Sequence, residues 1–154
     1  MKLKLLLLTS LAALLPVSAF ADNANANFSS TVQSYCTVGL TSPGVMHLEN
    51  TTLSTDTPAT LAINNNEANI YQVSVQKPSD FATKPNSYLG STTFTTAFGV
   101  AGDNPTVNPV GDGAAHPLAA SGSDTLSLTL FGSSDLNYQA GDYTAVAVVS
   151  CVPQ

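Results

Sequence analysis

The closing stretch Gly141-Asp-Tyr-Thr-Ala-Val-Ala-Val-Val-Ser-Cys-Val-Pro-Gln154 reads as one β-strand that opens on a glycine turn and runs to the end of the chain. Successive side chains of a strand point to opposite faces, so Tyr143, Ala145, Ala147, Val149 and Cys151 share an inward face while Thr144 and Ser150 take the other. The inward set is large at the mouth and small in the middle. A domain finishing on such a strand is expected to leave an edge unpaired, and an unpaired edge is a template for another strand.

Working back from this strand, alternating apolar segments recur between turn-forming clusters. Leu126, Leu128 and Leu130 alternate with Thr125, Ser127 and Thr129, and a weaker strand covers Thr92 to Phe98. Between them, Gly99 to Pro117 reads as a long loop with a short edge strand at Thr106 to Val110. Tyr71, Val73 and Val75 alternate with polar residues, and Ala59, Leu61 and Ile63 precede them across Asn64-Asn65-Asn66-Glu67, which reads as a hairpin. Val32, Ser34, Cys36, Val38 and Leu40 form a first strand, and a short piece follows at Val45 to Leu48. No helical periodicity is present. The pattern predicts an all-β, immunoglobulin-like β-sandwich of six to seven strands, missing its closing strand.

Lys2 and Lys4, an apolar run to Val17 and the small-x-small triplet Ala19-Phe20-Ala21 mark residues 1–21 as a signal peptide. Thr9, Ser10 and Pro16 interrupt that run, which argues against a membrane anchor. The remaining length, about 130 residues, suits one domain over residues 31–154 preceded by an arm at 22–30. Beyond the leader only Lys77 and Lys84 oppose ten carboxylates, so nucleic acid and anionic lipid are poor partners. The product is expected to be exported, with no direct membrane span.

Cys36 and Cys151 are the two cysteines, and an even count in an oxidising compartment suggests that they are bridged. Both fall on the inward parity of their strands. In the expected sandwich the start of the first strand and the end of the last lie at the same end, so the bridge is topologically consistent.

The arm Asp22-Asn-Ala-Asn-Ala-Asn-Phe-Ser-Ser30 alternates Ala24, Ala26, Phe28 and Ser30 with Asn23, Asn25, Asn27 and Ser29. Alternation argues for a half-buried strand, yet four such residues cannot hold a lone strand in water. Either the arm finds a groove or it is an unstructured, Asn-rich terminus.

Together, Ala140-Gly141-Asp142-Tyr143-Thr144-Ala145, the apolar tail Val146-Ala-Val-Val149, Val110-Gly111-Asp112, Ala120-Ser121-Gly122-Ser123 and the N-terminal arm resemble subunits of chaperone-usher pili, within them the F1-capsule-antigen-like type. The chain departs from that pattern in placing Pro153 where pilins carry a penultimate aromatic, and in bridging its first and last strands. A related spore-coat-U-like secreted sandwich remains an alternative. The resemblance implies a structural subunit of a surface fibre serving adhesion or biofilm formation. Its donor strand would be Ala24, Ala26, Phe28 and Ser30, and its acceptor groove would be lined by Gly141, Tyr143, Ala145, Ala147 and Val149. Implied partners are other copies of the chain, a periplasmic chaperone and an outer-membrane usher, on the way through the periplasm to the cell surface. A self-complete binding module for carbohydrate or host protein, or a matrix protein whose arm folds back on its own edge, are the competing readings.

No enzymatic chemistry is expected. His47 and His116 lack metal-ligand spacing, Ser121-Gly122-Ser123-Asp124 reads as a turn, and Asp103-Asn104 and Gly111-Asp112-Gly113 lack a complete calcium-loop pattern. No cofactor is expected. Asn27-Phe28-Ser29 and Asn50-Thr51-Thr52 match a glycosylation pattern that a bacterial-looking leader renders accidental.

Overall fold

The computed structural model of the protein describes residues 24–111 and 113–154. The signal segment 1–21 lies outside the described residues, as does Asp112 of the loop considered for calcium. The chain divides into two units, Met1–Thr31 and Val32–Gln154. In the first, residues 24–31 form no strand and are exposed.

The second unit is all-β and built from antiparallel sheets. Its strands are β1 (Cys36–Ser42), β2 (Val45–Glu49), β3 (Thr52–Thr57), β4 (Ala59–Asn65), β5 (Tyr71–Gln76), β6 (Thr92–Gly102), β7 (Val107–Gly111), β8 (Ala115–Pro117), β9 (Gly122–Ser134) and β10 (Val148–Pro153). One sheet runs β1-β4-β9-β3-β2, with β6 also on β9 and β7 on β6; the other runs β10-β5-β8.

Ten strands stand among the described residues where six to seven were expected. Part of the excess comes from two long strands, each broken in the middle. β1 pairs β4 from Cys36↔Asn65 to Ser42↔Thr60, and β2 pairs β3 from Val45↔Thr57 to Glu49↔Thr52, in nearly continuous register. The result is one long hairpin turning at Asn50, whose φ of 53° is the left-handed conformation that asparagine tolerates. Pro43 and Pro58, which lack an N–H for the ladder, lie at the two breaks. Polar β3, with Leu53 its one buried residue, carries no alternation that the sequence reading could find.

The expected hairpin between the Ala59 and Tyr71 segments is corrected. β4 pairs β1 and β9, whereas β5 pairs β10 and β8, so Asn64 to Glu67 carries the chain from one sheet to the other. Both segments bury alternate residues because each lies against the opposite sheet, and alternation alone does not say which strands are neighbours. The Gly99 to Pro117 segment is likewise mostly ladder: β6 runs on to Gly102, and β7 and β8 follow.

Between the sheets, Leu61, Ile63, Val73, Val75, Phe98, Val100, Leu118, Leu126 and Leu128 form the main core. A second cluster, Leu53, Phe81, Tyr88 and Phe94, lies against Tyr138 and Tyr143. Buried Asp124 is satisfied by Asn104, whose backbone N–H and side-chain amide donate to its two oxygens at 2.8 and 2.7 Å. This gives Asn104 a structural duty, since a buried carboxylate is costly without such donors.

Candidate functional site

Besides the short outer strands β7 and β8, two strand edges are left without a partner among the described residues. One is the outer edge of the long hairpin, β1 and β2; the other is the outer edge of β10 together with the segment that leads into it. The lead-in corrects the sequence reading. Gly141 to Ala147 was expected to be regular strand continuous with Val149, but regular pairing begins at Val148. Before that, the one link is an isolated bridge between Thr83 and Thr144, in which the Ala82 N–H donates to the Thr144 carbonyl at 2.7 Å and the Thr144 N–H to the Thr83 carbonyl at 3.0 Å. The physical reason is the absence of a neighbour. An extended segment touched at one residue on one side has too few ladder bonds to count as a strand, whatever its side-chain pattern.

That side-chain pattern is nevertheless present. Tyr143, Ala145, Ala147 and Val149 are half-buried, while Asp142, Thr144, Val146 and Val148 are exposed. Between the two edges lies a groove of about 630 Å3. Gly141, Tyr143, Ala145, Ala147 and Val149 form one wall; Leu40, Val45, Met46 and Leu48 form the other; Ala59, Leu61, Leu128 and Leu130 make the floor. The groove therefore opens straight onto the core. Within the main core cluster, Leu61 and Leu128 are the least buried members, at 9% and 8% exposed.

The groove narrows to one end. Cys36 and Cys151 are joined by a disulfide with their Cα atoms 6.0 Å apart, which ties the start of β1 to β10 across the two sheets. Along β1 from this point, Cys36 and Val38 are half-buried but Leu40, on the same face, is 65% exposed. The lining of the groove reaches Leu40 and Val149 but none of Cys36, Val38 and Cys151.

At the other end Tyr143 is held rigidly. Its hydroxyl donates to the Gln139 carbonyl and accepts from the Gln139 N–H, both at 3.0 Å. Its ring meets those of Phe81, Tyr88 and Tyr138 at centroid distances of 5.0, 5.6 and 5.6 Å. Burial holds the Tyr138 phenol above its usual range. Gly141 sets the approach: its φ is 145°, and a Cβ there would overlap the Pro85 ring.

The sequence-derived donor residues Ala24, Ala26, Phe28 and Ser30 lie in the first unit, in no strand, and Phe28 is 95% exposed. The opposite wall and the floor were not identified as groove residues from sequence. Leu40 shares the parity of Cys36, and Met46 and Leu48 alternate with His47, but only the pairing of the hairpin puts them on one edge.

Among the described residues no group of three or more His, Cys, Asp or Glu could hold a metal ion, and no helix is long and apolar enough to cross a membrane. No protein family, curated protein or solved structure matches the chain.

Proposed function

We propose that the protein is a structural subunit of a surface fibre in which the arm of each copy, residues 22–30, adds as a strand to the groove of the next. The observation that carries this reading is the groove itself. Along one wall an extended segment with correct inward alternation stops short of being a strand because it is paired at Thr144 alone, and the floor beneath is core.

An inserted strand would supply the missing ladder bonds and press alternate side chains toward Leu61 and Leu128, the strand-addition mode of recognition. The arm has the required alternation, and burying Phe28 alone would contribute about 2 kcal/mol. Because the donating and accepting surfaces differ, the contact is heterologous and propagates head to tail. The resemblance to pilus subunits adds export through the periplasm, with a chaperone covering the groove before assembly and an usher completing it.

The test uses the mature chain carrying Phe28→Asp. Phe28 is exposed in the isolated chain, so the substitution removes no packing there. The expected result is a folded monomer that no longer self-associates and that binds a synthetic 22–30 peptide. Self-association equal to that of the wild-type chain would refute strand donation through this arm.

A further inference from the structure

Resting on that reading, we propose that the Cys36–Cys151 disulfide is an end stop that limits how far a donated strand of a second copy can enter the groove. Strands in a sheet lie about 4.8 Å apart, so a strand bonded on both sides holds its two neighbours about 9.5 Å from one another. At the bridge the two walls stand 6.0 Å apart between Cα atoms. No third strand passes between them. The groove begins at Val149 and Leu40 and runs on toward Val45.

Three consequences follow from a groove with one closed end. First, the stretch of the accepting wall that faces the groove short of the bridge runs from Tyr143 to Val149, seven residues, and the alternating part of the arm, Ala24 to Ser30, is also seven residues long. Second, a chain that reaches the closed end must leave the groove there. The arm is attached to its own domain through Thr31, so its Ala24 end lies toward the disulfide and its domain lies beyond the open end. Since the accepting wall runs toward the disulfide, the two strands are antiparallel. Third, the register is set: Ala24 stands opposite Val149, Ala26 opposite Ala147, Phe28 opposite Ala145 and Ser30 opposite Tyr143. The bulkiest donor residue then meets a small wall residue, and the small Ser30 meets the bulky Tyr143. The arm and the wall match in length, parity and size order, which is the reason for committing to a second copy of this chain as the occupant.

The experiment adds peptides to the mature chain carrying Phe28→Asp and follows binding and amide hydrogen exchange. On binding the 22–30 peptide, amides of the accepting wall should gain protection as far as Val149 and no further. An eleven-residue peptide, extended at its N-terminus by Val-Asn to continue the alternation, should bind no more tightly than the nine-residue one. In a groove open at both ends the same extension would add two ladder positions. Binding of the 22–30 peptide with protection extending through Cys151 and Val152, or an affinity gain of threefold or more for the extended peptide, would overturn the stop while leaving strand donation intact. Failure of the 22–30 peptide to bind at all would remove strand donation and the stop with it.

Discussion

At the residue scale the imidazole of His116 carries a testable cost. It sits on β8 opposite Val73, and its Nε2 is buried without a hydrogen-bond partner among the described residues. Burial pushes its pKa below the ordinary value, against a smaller opposing pull from Asp124. In the unfolded chain a histidine binds its proton near pH 6.5, whereas the folded protein resists that proton to lower pH. Below about pH 6.5 the unfolded state therefore holds more protons, and stability falls as pH drops through the window between the two pKa values. Urea denaturation at pH 7.5 and pH 5.0 should show this loss, and His116→Gln should make the two midpoints more nearly equal. A wild-type midpoint that rises on acidification across this range would contradict the assignment. None of this was legible in the sequence, where His116 was only a histidine without metal-ligand neighbours. Its burial depends on β8, a three-residue strand that lies inside what reads as a loop.

At the scale of elements, the disulfide joins strands belonging to different sheets, and its two residues are separated by 115 positions. In the chain-entropy picture, closing a loop of that size stabilises by about 4 to 5 kcal/mol relative to the open chain. Cys36→Ala/Cys151→Ala should accordingly lower the unfolding free energy by about 2–5 kcal/mol in equilibrium denaturation. An unchanged midpoint would mean that the two sheets are held by their shared core alone. The pairing was readable because only two cysteines exist and both lie on inward parities. The elements around it were readable in proportion to how cleanly they alternate. β9 and β6 announce themselves through Leu126, Leu128, Phe94 and Phe98, while β3 is written in threonine and serine and stays silent. The groove falls between these cases. Tyr143, Ala145, Ala147 and Val149 were legible as one face of an extended segment. Leu40, Val45 and Met46 were not, because they become a wall only after the long hairpin places its free edge opposite that segment. Pairing partners are a property of the assembled sheets, and local sequence carries little of that information.

At the scale of the whole molecule, a domain whose open groove accepts the arm of another copy should have a stability that depends on its own concentration. Anything that binds the folded state and not the unfolded one adds RT ln(1 + [L]/Kd), about 1.4 kcal/mol for each tenfold rise in concentration once above Kd. For strand donation the ligand is another copy of the chain, so the thermal midpoint of the mature protein should climb as protein concentration rises. Phe28→Asp should make it flat. Such assembly would bring together molecules that carry ten carboxylates against two lysines beyond residue 21, and the resulting repulsion would act through solvent. Raising the salt from 0.01 M to 0.15 M shortens the screening length from about 30 Å to about 8 Å and should strengthen association, the opposite of what a contact built on ion pairs would do. Sedimentation should then resolve an open series of oligomers, because head-to-tail insertion always leaves one empty groove and one free arm at the ends of the chain. A single closed dimer with a concentration-independent size above its Kd would instead indicate reciprocal exchange of arms between two copies, a swap that uses the same groove and builds no fibre.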